Sequence, residues 1–261
     1  MKLGFHVNPG KPEAARLRAA LSAFAERLGF SQAAGGDADV VVVMGGDGTI
    51  LKAVHEHPGT PLLGLKVGGL GYLASVGAGE AEKALEMLAA GRYVISERRL
   101  IEADGRFAAL NDIVITREIG GHSTRLDLEA DGRPVTRYMA DGLIFATPTG
   151  STAYSLAAGG PVLMPNSGCV VVTPMNPHAL AVRPLVLSDS VVFKVVARSR
   201  TEGNQMKIGV YADGERVTTL AEGEAVEVAK SDKVARLVEL EGFDPYVVLA
   251  RKLGWRGSNV E

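Results

Sequence analysis

Residues Asp39 to Met44 read DVVVVM, an unbroken apolar run that leads straight into Gly45, Gly46, Asp47, Gly48 and Thr49 and then into a short helical stretch. A strand that is apolar at every position, and not at alternate ones, is covered on both faces, as in a parallel sheet between helices. The neighbouring segments fit the same plan. Residues 2–7 alternate as a short strand, and Pro12 opens a segment in which Leu17, Leu21, Phe24 and Leu28 recur at helical spacing until Gly29. PLLGLK, residues 61–66, reads as a third strand, and GEAEKALEMLAAG as a helix stopped by Gly91. An open α/β domain bearing the GGDGT loop is expected over about residues 1–95.

Beyond it the pattern changes. YVISERRLIEAD, FAALNDIVITR, STRLDLEADG, RPVTRYMADG, GCVVVT, SVVFKVVA, KIGVYADG and EAVEVAK are β segments, several closed by Asp-Gly turns, and they predict an antiparallel β-sandwich over 96–243. STAYSLAAGG interrupts them as a short helix after a Thr-Pro-Thr-Gly turn, where unpaired amides are expected. The tail, residues 244–255, has helical spacing at Val248, Leu249 and Leu253 and is expected to pack back on the first domain. Arg98 and Arg99 read as a solvated strand edge.

Composition limits what such a chain does. The 28 basic and 30 acidic residues leave a formal charge of −2, so no general positive field gathers nucleic acid or anionic lipid. The longest apolar run is far short of a membrane span, and Cys169 is the single cysteine, read as core packing in a reducing, cytoplasmic setting. His6, His55, His57 and His178 show no metal-ligand spacing, so no resident metal is expected.

GGDGT stands at the carboxyl end of a buried strand, where open α/β sheets place ligands. Two glycines let the backbone approach phosphate oxygens, the helix supplies amide donors, and Asp47 faces the substrate to orient a hydroxyl in phosphoryl transfer. Taken alone, the same five residues read equally well as a tight turn with Asp47 capping the helix. Neither GxxxxGK[ST] nor a strand-to-helix GxGxxG occurs. Asn111 and Asp112, side by side at the mouth of an apolar strand, offer an amide and a carboxylate to ribose hydroxyls or adenine edges. Asp141 precedes a stretch rich in small residues and hydroxyls.

In order and spacing, GGDGT, the Asn-Asp pair of LNDIVI, DGLIFATPTGSTAYSLAAGGP, NPHALAVRPLVL and KLGW resemble the NAD kinases over roughly residues 40–255. The resemblance implies transfer of a phosphoryl group from ATP or polyphosphate, with Mg²⁺, to the 2′-hydroxyl of the adenosine ribose of NAD, by a homodimer or homotetramer. It implies Asp47 as the catalytic carboxylate and Gly45, Gly46, Gly48 and Thr49 as the phosphate loop. It further implies Asp47, Gly48, Lys52, Asn111, Asp112, His122, Asp141, Thr152, Ala153, Tyr154, Ser155, Leu156 and Ala157 as contacts to NAD, with the site between the domains. Tyr154 stacks on a base or fills space, and His122 contacts ligand or is an exposed turn histidine. Lys66, Met139, Ala157 and Glu215 depart from the common pattern, Lys66 offering a phosphate contact in place of an asparagine. The alternatives are a GGDGT-type lipid kinase, which needs a membrane-facing surface, and a non-catalytic NAD(P)-binding regulator, which does not need Asp47.

Overall fold

A computed structural model of the chain describes residues 1–33, 36–68, 71–73, 76–117, 124–198 and 207–255. It divides into two compact units, residues 1–97 with 235–261, and residues 98–234.

In the first unit the chain runs β1 (Lys2–Val7), α1 (Pro12–Arg27), β2 (Ser31–Gln32), β3 (Val40–Gly45), α2 (Asp47–Glu56), β4 (Leu62–Lys66), β5 (Val76–Gly77) and α3 (Ala81–Ala89). The strands lie in the order β2-β1-β3-β4, all parallel, with β5 parallel to β4. Every residue of β3 is buried, as its apolar run requires. Val40, Val42 and Met44 share one core with Leu21 and Ala25 of α1 and with Ala84, Leu85 and Leu88 of α3. The helix α2 packs against β3 and β4, burying Ile50, Ala53 and Val54. Each of these faces is apolar because it meets protein and not water.

The second unit contains most of β6 (Tyr93–Ala103), then β7 (Phe107–Ala109), β8 (Asp112–Arg117), β9 (Thr124–Ala130), β10 (Arg133–Ala140) and β11 (Gly142–Ala146). After a 3₁₀ turn come α4 (Tyr154–Ala157), β12 (Cys169–Met175), β13 (Leu185–Ser188), β14 (Phe193–Arg198), β15 (Ile208–Ala212) and β16 (Glu215–Leu220). The long β17 (Ala225–Leu240) passes from this unit into the first, which α5 (Pro245–Leu253) completes. One sheet has the order β10-β9-β14-β17, with β6 pairing β17 and β7, and the other has the order β13-β12-β11-β8-β15-β16. Inward residues of both form one core, in which Phe145 and Phe193 meet at 5.3 Å between ring centroids. Two of the Asp-Gly turns do what their composition predicts: Asp131-Gly132 and Asp213-Gly214 both take positive φ and close the β9–β10 and β15–β16 hairpins, whereas Asp141-Gly142 takes no positive φ and leads from β10 into β11 of the other sheet.

Two local expectations are corrected. Cys169 begins β12 half-exposed, with its thiol near the Ser167 carbonyl, and is not a core residue. Arg98 is buried at 7% exposure and is not solvated, whereas Arg99 is exposed as expected and pairs with Asp189. Because Phe193 is 1% exposed and packs on Phe145, Phe193→Ala is expected to destabilise the second unit by ~3–5 kcal/mol. Denaturant titration followed by near-ultraviolet circular dichroism checks this; a loss below 1 kcal/mol contradicts it.

Candidate functional site

The first unit presents the GGDGT turn. Gly46 caps α2, and its carbonyl accepts from the Thr49 and Ile50 amides at 2.9 and 3.2 Å. The Thr49 hydroxyl accepts from the Gly46 amide at 3.2 Å and from the Asn8 side chain at 3.3 Å, which ties the end of β1 to the turn. The Gly46 amide is therefore spent inside the turn, whereas Gly48 faces open space at the first turn of the helix. Lys52 is exposed one helical turn beyond Gly48 and on the same face.

Asp47 is not a cap for its own helix. Its carboxylate reaches across to the segment after β4 and accepts from the Tyr72 amide at 2.9 Å and from the Leu73 amide at 3.2 Å. That approach works because residue 71 is glycine: a Cβ there would overlap Asp47 Oδ1. The same Cβ would stand 3.0 Å from Lys66 Nζ, so the ammonium and the carboxylate flank one patch of backbone. Lys66 Nζ is also 3.5 Å from where a Cβ on Gly46 would be. Among the described residues the Lys66 ammonium has no hydrogen-bond or ion-pair partner. Lys11, by contrast, donates to the Val67 carbonyl at 2.6 Å. Burial, with the negative charge of Asp47 nearby, raises the Tyr72 phenol above its ordinary pKa, and its enclosed hydroxyl has no hydrogen-bond partner among the described residues.

In the second unit, Asn111 and Asp112 enter β8 beside the β15–β16 hairpin. The Asp213 carboxylate gathers the amides of Leu110 at 2.8 Å, Asn111 at 2.7 Å and Asp112 at 3.2 Å. From the other side the Thr147 hydroxyl donates to the Leu110 carbonyl at 2.6 Å, and the Thr147 amide donates to the Asn111 carbonyl at 3.0 Å. Gly150 lies so close to the Asn111 backbone that any Cβ would overlap it. Asp112 is 5% exposed. Burial, reinforced by the charge of Asp213, pushes its carboxyl up to about 7.

The 3₁₀ turn Gly150–Thr152 and α4 carry the segment expected to hold the ligand. Its amides are less available than the sequence suggested: Gly150 donates to the Thr147 hydroxyl, Ser151 to the Thr147 carbonyl and Ala153 to the Gly150 carbonyl. Ser155 is fully buried and shares a 2.8 Å hydrogen bond with Thr173. Thr152, Ala153 and Leu156 are half-buried and Ala157 is exposed. Tyr154 is 46% exposed and outside the sandwich core.

Asp141 stands apart from this cluster. Gly142 pairs with Thr116 and Ala146 with Asp112, so Asp141 stands level with the last residue of β8 while Asn111 precedes its first, about 20 Å of strand apart. Its carboxylate pairs with Arg117 at 3.0 Å and accepts from the Asn176 amide at 3.0 Å. His122 lies outside the described residues. Sequence reading missed Asp213, because an Asp-Gly in a strand-turn-strand context signals only a hairpin. It also missed the Tyr72 and Leu73 amides, which carry no side-chain signal.

A family model for the ATP-NAD kinase N-terminal domain matches residues 3–93, and one for the ATP-NAD kinase C-terminal domain matches residues 110–240. An NAD kinase of Symbiobacterium thermophilum is 40% identical over 228 residues, covering 84% of this chain and 79% of that protein. One of Syntrophotalea carbinolica is 37% identical over 230 residues, with the same coverage. Among solved structures, yeast NADH kinase complexed with NADH superposes with a TM-score of 0.82 at 26% identity, over 99% of this chain and 89% of that one. An NAD kinase from Archaeoglobus fulgidus in complex with ATP also gives 0.82, at 25% identity, over 98% and 100%. The chain belongs to the NAD kinase family.

The raised pKa of Asp112 has a stability consequence. A carboxyl whose folded pKa is near 7, against about 3.9 unfolded, keeps an extra proton in the native state between those values, so its contribution falls as pH rises through that window. Asp112→Asn removes the penalty. Its stability relative to the parent is therefore expected to improve between pH 5 and pH 8 by on the order of 2–3 kcal/mol. Urea unfolding at the two pH values checks this, and parallel profiles for parent and variant would refute it.

Proposed function

We propose that this protein phosphorylates the 2′-hydroxyl of the adenosine ribose of NAD, giving NADP, with ATP or polyphosphate as donor. The observation that carries the reading is the Asp47 carboxylate, pinned by the Tyr72 and Leu73 amides at the mouth of the GGDGT turn, in a chain of this family. Phosphoryl transfer through a loose transition state asks the protein chiefly to place the acceptor and to offset charge on the phosphate oxygens. Two amides fix the orientation of Asp47 and leave it lone pairs with which to align the ribose hydroxyl and accept its proton late. Gly48, at the open start of α2, and the exposed Lys52 are the groups offered to the ligand's phosphates.

Asn111 and Asp112 hold the adenosine portion in this reading. Their rigidity supports it, because backbone contacts from Asp213, Thr147 and Gly150 fix the strand entry before any ligand arrives. Tyr154, half-exposed beside them in sequence order after Gly150, offers a ring face to the dinucleotide. Asp47 alone makes a poor cage for Mg²⁺, since it already accepts two amides. The ion's place is on the donor's phosphates, whose charge it offsets. No described helix is long and apolar enough to cross a membrane. Placement in the cytoplasm and assembly as a homodimer or homotetramer complete the proposal by family resemblance.

The decisive assay mixes the purified protein with NAD, Mg²⁺ and either ATP or polyphosphate and follows NADP. Asp47→Asn is expected to keep NAD affinity and lower turnover at least ~10²-fold, the scale of losing a positioned proton acceptor; near-normal turnover removes Asp47 from that role. Lys66, unpaired among the described residues and beside Asp47, is assigned to the donor's phosphates. Lys66→Met is expected to raise KM for ATP ~10-fold or more, the value of one charge-assisted hydrogen bond, with little change in KM for NAD. Equal effects on both substrates would place the ammonium elsewhere.

A further inference from the structure

The opposite end of α2 carries a second cluster. His6 points from β1 toward the helix, and Glu56 and His57 form its last residue and its C-cap. The fifty positions between His6 and Glu56 hide this set from any spacing argument, yet one ligand atom from each of the three residues lies within 4.8 Å of the others. His6 Nδ1 and a Glu56 oxygen are 3.5 Å apart, and the two imidazoles meet edge to face at 5.5 Å between centroids. From this geometry we propose that His6, Glu56 and His57 form a binding site for a zinc-like divalent transition ion, separate from Asp47 and the phosphate chemistry.

The donor set suits such an ion. Two imidazoles and one carboxylate are the ligands of open zinc sites, which leave a fourth position to water. With bonds of about 2.0–2.1 Å, tetrahedral donors stand about 3.3–3.4 Å apart, close to the His6 to Glu56 separation. The same 3.5 Å is too long for a charge-assisted hydrogen bond, which is near 2.7–2.9 Å, so the pair is not already closed on itself.

The position of each ligand is set by the fold. His6 sits in the parallel register of β1 with β3, opposite Val43, and its side chain is only 14% exposed. The His57 amide donates to the Ala53 carbonyl at 2.8 Å and its carbonyl accepts from Thr60 at 3.2 Å, so the C-cap is anchored on both sides. Glu56, 62% exposed, supplies the carboxylate from the solvent side of the cluster. A bound ion would join β1 to the end of the helix whose beginning bears Asp47. Mg²⁺ is not expected there, because imidazole donors favour zinc, copper, nickel or cobalt over the harder cation.

The test uses the full chain, stripped with chelator and dialysed, titrated separately with zinc, cobalt and magnesium chlorides in a calorimeter. One zinc per chain is expected, with cobalt giving the visible bands of a four-coordinate ion and magnesium giving no heat at this site. Zinc should raise the thermal midpoint of the parent. His6→Ala, His57→Ala and Glu56→Gln should each weaken zinc binding at least ~10-fold, the lower range known for disturbing a ligand set, and abolish the thermal shift. Glu56→Gln, at an exposed position, keeps the test valid if a histidine variant misfolds. Absence of saturable zinc uptake, uptake unchanged in Glu56→Gln, or equal uptake of magnesium overturns the proposal. None of these readouts depends on phosphoryl transfer, so the kinase reading and the metal site can fail separately.

Discussion

The carboxylate of Asp47 closes on backbone amides of Tyr72 and Leu73, and much of the first unit is arranged to permit that contact. Strands β3 and β4 are adjacent and parallel, so the segments leaving their carboxyl ends emerge side by side. A carboxylate at the start of one segment can then take amides from the other. A glycine at position 71 lets the two meet, and the doubly buried β3 keeps the turn from shifting. The contact orients the carboxylate that the proposed function assigns to the acceptor hydroxyl, and two amides occupy only part of the lone-pair capacity of a carboxylate. It also bears on Lys66, which has no partner among the described residues: the aspartate beside it is held by neutral donors, and the proposed function gives the ammonium to the donor's phosphates.

The second unit solves a related problem with the same chemistry. Asp213 binds three successive amides where the chain enters β8, and Thr147 with Gly150 closes the opposite side. Each contact is long-range in sequence, about a hundred residues for Asp213, so the strand entry is rigid only once the sandwich has formed. Rigidity here is bought with buried charge. Burial disfavours the ionised form of Asp112, and the nearby charge of Asp213 adds to that penalty.

How far the sequence revealed this depends on the range of the interaction. The run at Val40 to Met44 announced a parallel strand because its burial is written into consecutive residues, and Asp131-Gly132 and Asp213-Gly214 announced hairpins because their turn conformation is local. The sixteen-residue β17 was read only as far as Lys230, since its burial pattern loses strict alternation where the strand passes from one core to the other. β13 went unread because it is only four residues long, with Leu185 and Leu187 half-buried and Val186 and Ser188 exposed. In the site, Asp47, Asn111 and Asp112 stood out as polar residues at the ends of apolar strands. The groups that hold them in place did not, because a backbone amide has no letter in the sequence and an aspartate in a turn looks the same whether or not it organises a neighbouring strand. The same limit separated His6 from Glu56 and His57, which only the register of β1 against β3 and the length of α2 bring together.

Asp112 shows why a protein would keep such an arrangement. Replacing a buried carboxylate with a neutral or apolar group of similar shape commonly stabilises a fold, so packing gives no reason to retain it. Its backbone amide would serve Asp213 equally well in any residue, and its neighbours Ile113, Val114 and Ile115 already supply the apolar face of β8. What only the carboxyl provides is a group near its titration midpoint at neutral pH, able to accept a hydrogen bond when ionised and to donate one when protonated. Such a group adapts to a ligand edge that presents either partner, at a cost in stability paid by the surrounding strands. In the proposed function that side chain is assigned to the ligand, because its raised pKa weakens the fold above neutral pH and packing alone gives no reason for a carboxyl there.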